Sequence, residues 1–117
     1  MESINALDLL KEEFAYDEVH LKVNAIHRLK TVAHAVSRDD FRTQLVPYLD
    51  RLVNTECDEV LFSIAAELGN KDIAEAGGID VIAPLLEKLA KSDETVVREE
   101  AAKSLAKVAE HMTESDI

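Results

Sequence analysis

The feature that most restricts how this chain can fold is an internal repeat. The segment Leu21-Lys22-Val23-Asn24-Ala25-Ile26-His27-Arg28-Leu29 aligns with Val97-Arg98-Glu99-Glu100-Ala101-Ala102-Lys103-Ser104-Leu105, and Val60-Leu61-Phe62-Ser63-Ile64-Ala65-Ala66-Glu67-Leu68 lies between them. The closing leucines, Leu29, Leu68 and Leu105, are 39 and then 37 positions apart. A second ladder agrees: Leu45-Val46-Pro47-Tyr48-Leu49-Asp50-Arg51-Leu52 matches Ile82-Ala83-Pro84-Leu85-Leu86-Glu87-Lys88-Leu89 at a separation of 37. Two anchor sets at one period imply stacked units of two helices each, because one hairpin cannot bury its apolar face alone.

Helical periodicity places the units. Between Val96 and Met112 the apolar positions 97, 101, 105, 108 and 112, with Ala102 and Ala109, fall on one arc, and Glu99, Glu100, Lys103, Lys107 and Glu110 cover the other side. Ser37-x-x-Asp40 and Thr55-x-x-Asp58 read as capping boxes, and Ser92 or Asp93 can cap the last long helix. The expected helices run 3–14, 18–36, 39–53, 57–69, 73–91 and 94–112, with Gly77-Gly78 kinking or shortening the fifth at its start. The chain is thus expected to be one all-α domain over 1–117, an α-solenoid of about three antiparallel hairpins. Repeat 1 spans about 3–36, repeat 2 about 37–70 and repeat 3 about 71–112, with 113–117 opening a fourth.

Composition narrows the function classes. Hydrophobic residues make up 47% of the chain and aromatics only 4%, so the core must come from Leu, Ile, Val and Ala. Three Gly and two Pro leave too few turn residues for an all-β fold. A formal net charge of −11 disfavours nucleic acid and anionic membrane as partners, since both are bound through Lys and Arg. Cys57 is the sole cysteine, which suits a reducing cytoplasmic or nuclear setting. The start, Met1 to Leu10, has no basic stretch of the kind that opens a secretory signal, and no apolar run approaches the ~18 residues of a membrane span.

The same residues resemble a known family, the scaffold (A, or structural) subunit of protein phosphatase 2A, a HEAT-repeat protein. The similarity is densest in Asp58-Glu59-Val60-Leu61 with Ala66-Glu67-Leu68-Gly69, and in Asp93-Glu94-Thr95-Val96-Val97-Arg98. Val19 to Ile26, Leu45-Val46-Pro47-Tyr48-Leu49 and Ser115-Asp116 have close counterparts at the same spacing. The resemblance implies a HEAT-repeat α-solenoid that is not an enzyme and needs no cofactor. It implies an amino-terminal segment that holds regulatory (B-type) subunits, with the catalytic subunit held by repeats beyond this segment. It places Glu59, Asp93 and Glu94 on hairpin turns facing the regulatory subunit, and Arg98 beside them as a further partner-binding candidate. Leu61 stands where Lys22 and Arg98 carry the basic position of the HEAT pattern, and the Asp six residues earlier is replaced by Tyr16, Thr55 and Ser92. An incomplete polar ladder between repeats is therefore expected, with apolar packing holding them.

Other chemistry is weakly supported. His20, His27 and His34 recur every seven residues, ~10.5 Å apart along a helix, too far for two imidazoles to share a metal. They lie opposite the arc of Leu21, Ala25, Leu29 and Val32 and read as a solvated stripe. Adjacent carboxylates in Asp39-Asp40, Asp58-Glu59 and Asp93-Glu94 do not face each other across a cleft, so they read as caps and dipole partners rather than as an acid/base pair. Cys57 lacks a histidine partner and reads as a structural thiol; Gly77-Gly78 lacks the Lys of a phosphate loop. Arg98, inside the apolar arc of its helix, favours a structural hydrogen bond. The alternative function is an armadillo-type adaptor for transport or other protein interaction, suggested by Glu75-Ala76-Gly77-Gly78-Ile79 with Pro84-Leu85-Leu86. Armadillo units carry three helices at about 42 residues, and the spacing here fits two.

Overall fold

Every regular element among the described residues is helical. The structure, a computed structural model, describes residues 6–16 and 18–116, with side chains over 7–16 and 18–110. Its helices are α1 (Ala6–Ala15), α2 (Val19–His27), α3 (Leu29–Ala35), α4 (Arg38–Asp40), a π-helical segment (Phe41–Leu45), α5 (Val46–Thr55), α6 (Asp58–Leu68), α7 (Lys71–Gly77), α8 (Ile79–Leu89) and α9 (Thr95–Asp116). Residues 3–5 of the expected first helix lie outside the described residues.

The first and third of the expected hairpins pack closely. α1 pairs with α2 and α3, α4 to α5 lead into α6, and α8 pairs with α9. Like helices stack on like: α2 packs on α6 and α6 on α9, while α5 packs on α8. The result is a slab of 44 × 33 × 18 Å, the thin dimension being about two helices deep. The repeat anchors fill its interior. Leu29, Leu68, Leu45, Leu49, Ile82 and Leu86 are fully buried, and Leu105 is half-buried. Within α9, Val97, Ala101 and Val108 face the core, whereas Ala102 and Ala109 are exposed. Ser104 takes a core position instead: its Oγ donates to the Ala65 carbonyl at 2.6 Å, and it sits where a side chain on Gly69 would collide with it.

Four helices depart from the expected map. The 18–36 helix is interrupted at Arg28 (φ −96°, ψ 11°), whose N–H bonds to the Ala25 carbonyl in a tightened turn and whose guanidinium pairs with Glu13 on α1. Ahead of Pro47, which has no N–H and whose ring crowds the carbonyl four residues back, the helix widens into the π-helical turn Phe41–Leu45. Gly77-Gly78 does more than shorten the fifth helix. Gly78 adopts φ +100°, separating α7 from α8, so the third repeat carries three helices where two were expected. At the chain's end α9 continues through Asp116, so no turn falls between 112 and 113.

The turns that join one hairpin to the next are tied together by side chains. Ser37 Oγ accepts from the Asp40 N–H, the cap expected from sequence. Phe41 lies fully buried against Gly77, where a Cβ would strike its ring. The break at Gly78 frees carbonyls at the end of α7, and two arginines from the preceding repeat satisfy them. Arg38 donates to the Glu75 carbonyl at 3.1 Å and Arg42 to the Gly77 carbonyl at 3.0 Å. Arg42 also grips both oxygens of Asp80, at 2.9 and 2.7 Å. Lys30 pairs with Asp72 at 3.0 Å, and Lys88 with Asp50 across α5 and α8. Polar ties thus join the repeats alongside the apolar packing expected from sequence. Arg38, Arg42, Lys30 and Lys88, none of them at the HEAT basic position, supply these ties.

Candidate functional site

An antiparallel hairpin puts all its internal turns along one edge of the stack, opposite the turns just described. On this edge lie the sequence-predicted residues Glu59, Asp93, Glu94 and Arg98. Each is exposed.

The local structure explains their placement. α6 begins at Asp58 after Cys57, which is extended (φ −76°, ψ 168°) and offers no side-chain cap, so Asp58 and Glu59 supply negative charge to the first turn. Thr55 does not form the expected capping box; it ends α5, with Oγ1 donating to the Arg51 carbonyl at 2.9 Å. Ser92 Oγ accepts from the Glu94 N–H at 3.1 Å, folding the turn that precedes α9. Arg98 is exposed rather than inside the apolar arc. It donates to the Ser92 carbonyl at 2.9 Å and to Thr95 Oγ1 at 3.1 Å, which fastens that turn to its helix.

Two of the four residues, Glu59 and Glu94, meet at a groove of about 550 Å³ between α2, α6 and α9, a volume within the usual range of binding clefts. Val97 and Ser63 are buried beneath it, Val23 and Ala66 are half-buried, and Phe62 and Val96 stay 37% and 55% exposed. Asp58 and His27 complete the rim. Asp93 is in the turn beside Glu94 but does not line the groove. Sequence reading missed Phe62 and Val96: Val96 falls outside the apolar arc of its helix, and only the stacking of one repeat on the next brings the two to one groove.

Electrostatics separates this edge from the other. Among the described residues the carboxylates of Asp58, Glu59, Asp93 and Glu94 enter no ion pair, while Asp50, Asp72 and Asp80 all do. The hydrogen bond from Arg42 holds the Asp80 carboxyl below the ordinary carboxylate range, and that from Lys30 does the same for Asp72. One pair does reach across the groove-side edge. Lys22 bridges to both oxygens of Glu56 at 3.1 and 3.3 Å, with the two side chains only 11% and 15% exposed. Phe14 packs edge-on to Tyr48 beside it, and burial, with Glu56 next, raises the Tyr48 phenol.

The histidine stripe is exposed and does not converge. His27 Nδ1 lies 3.3 Å from Glu67, and His20 lies against Glu18. No group of three His, Cys, Asp or Glu side chains among the described residues is arranged to hold a metal ion. Cys57 is exposed. No described helix is long and apolar enough to cross a membrane.

No family model matches the chain. Curated relatives do match. It is 38% identical over 99% of its length to the serine/threonine-protein phosphatase 2A 65 kDa regulatory subunit (A alpha isoform) of Arabidopsis thaliana, covering 20% of that protein. It is 37% identical over 92% of its length to the protein phosphatase 2A scaffold subunit of Dictyostelium discoideum, covering 19% of it. It is 35% identical over 99% of its length to the serine/threonine-protein phosphatase PP2A 65 kDa regulatory subunit of Drosophila melanogaster, covering 20% of it. The chain spans about a fifth of the length of these relatives. The resemblance read from the sequence therefore holds, and with it the HEAT-repeat reading of the stacked hairpins. The relatives are named as scaffold or regulatory subunits of protein phosphatase 2A.

Proposed function

We propose, from the premise that this chain is a HEAT-repeat segment like those of the phosphatase 2A scaffold, that it is a non-catalytic scaffold element of a phosphatase 2A-like holoenzyme. Its role is to hold a regulatory (B-type) subunit on the edge carrying Glu59, Asp93 and Glu94, with Arg98 fixing the last of these turns. The observation that carries this reading is similarity over 99% of the chain to a protein named for regulation of the phosphatase. Unpaired carboxylates on an exposed edge support it, because such charges steer the approach of a basic partner and fix its register. The catalytic subunit is held elsewhere in the assembly, and the setting is cytoplasmic or nuclear. The test is calorimetric titration of a purified regulatory subunit into the parent chain and into Glu59→Lys/Asp93→Lys/Glu94→Lys. At low salt the triple variant should bind about tenfold more weakly or worse, with a flatter dependence on salt. Equal affinities with helicity intact would remove this edge from the interface.

A further inference from the structure

We infer that the groove between α2, α6 and α9 accepts a partner segment in which one aromatic or branched apolar side chain is flanked by Lys or Arg. The inference rests on the protein-binding reading above and specifies what the partner must present. The apolar half of the argument is Phe62 and Val96. Single exposed apolar residues are ordinary on any surface, but these two stand on successive repeats and face one cleft floored by Val97, Val23 and Ala66. A large side chain inserted there would cover both at once, as an interface anchor does.

The charged half is the rim. Asp58 and Glu59 at the start of α6, and Glu94 just before α9, border the same cleft and pair with no cation among the described residues. Favourable placement at helix starts accounts for their sign. It does not account for their convergence, from two repeats, around exposed apolar surface. On a chain of net charge −11, whose bridging carboxylates elsewhere are matched by Lys30, Arg42 and Lys88, an unmatched rim complements a cationic ligand. Direct charge complementarity favours a basic peptide segment over an acidic one, and the apolar floor favours it over a free polycation.

The experiment is selection of random phage-displayed peptides on the full chain, followed by fluorescence anisotropy on the peptides obtained. Selected peptides should pair an aromatic, Leu, Ile or Val with nearby Lys or Arg. They should bind Phe62→Ala about tenfold more weakly. Glu59→Gln/Glu94→Gln should weaken them and flatten the salt dependence. Phe62 is partly exposed, so its truncation should leave helicity unchanged; Val96→Ser, at a still more exposed position, repeats the test if it does not. Acidic or uncharged peptides, an empty selection, or affinities indifferent to both variants would overturn the inference. Outcomes for the two readings separate. Loss of regulatory-subunit binding in the triple charge reversal, with peptides indifferent to Phe62→Ala, sinks the groove and keeps the edge. Groove peptides behaving as expected, with regulatory-subunit binding untouched by the reversal, does the opposite.

Discussion

The two edges of this stack are built from similar residues and end in opposite states. On the edge where hairpins join one another, Arg38 and Arg42 reach the next repeat and Lys30 the one after it, each closing on a carbonyl or carboxylate. On the edge where each hairpin turns back on itself, Arg98 folds onto its own turn and leaves Asp93 and Glu94 without a cation among the described residues. Within the turn-back edge the repeats also differ, as shown by Lys22 and Arg98, which occupy the same place in the first and third repeats. Lys22 is buried and bridges to Glu56 of the next repeat; Arg98 is exposed and bonds only nearby. The joining edge commits its charges to holding repeats together; the turn-back edge does so through Lys22 and Glu56, while Asp58, Glu59, Asp93 and Glu94 stay open to solvent or a partner.

The largest effect expected from this comparison is at the fastened edge. Phe41→Ala removes a fully buried ring from against Gly77 and should cost about 3–5 kcal/mol, read from the urea midpoint and slope. A loss below about 1 kcal/mol would mean the junction collapses readily around the cavity and is not the rigid element inferred. Lys22→Ala comes next. It strands Glu56, 15% exposed, without its cation and should cost about 1–3 kcal/mol. Lys22→Met with Glu56→Leu should recover much of that loss, since a matched apolar pair avoids the stranded charge; no recovery would point to other contacts of Lys22.

A pH series sharpens the difference further. Arg42 lowers the Asp80 carboxyl in the folded chain, so its stabilisation is present above the ordinary Asp value of about 3.9 and is lost as pH falls through the lower folded value. Asp80→Asn should therefore lower the unfolding midpoint at pH 7, with the gap from the parent closing below about pH 4. A gap that stays constant down to pH 3 would show that the Arg42 pair contributes nothing through charge. The smallest effect belongs to the open edge. Glu59→Lys/Glu94→Lys should lower stability by no more than about 1 kcal/mol, the loss of favourable charge at two helix starts, because neither carboxylate has an ion-pair partner to lose among the described residues. A drop comparable to that of Lys22→Ala would erase the distinction between the edges.

Much of the fold is legible in the order of residues alone. The Leu and Pro ladders carry the period, the anchors Leu29 and Leu68 are fully buried, and Ser37 caps its helix as the capping pattern implies. Of the site, Glu59 and Glu94 are visible through resemblance, whereas Phe62 and Val96 are not. Thr55 misleads because a capping pattern counts residues but cannot see that the preceding helix still needs them.

The sequence by itself determined the helices, their pairing into hairpins and the apolar stripe each hairpin must bury, because these follow from periodicities of a few residues within one element. Only the tertiary structure decided which charges are matched. Lys22 meets Glu56, Arg42 meets Asp80 and Lys88 meets Asp50 across 34, 38 and 38 positions. Contact over that span depends on how far one hairpin slides and rotates on the next. A shift of one helical turn, about 5.4 Å, would break each of these pairs and leave the local pattern unchanged. The same offset brings Phe62 and Val96, from two repeats, to one groove.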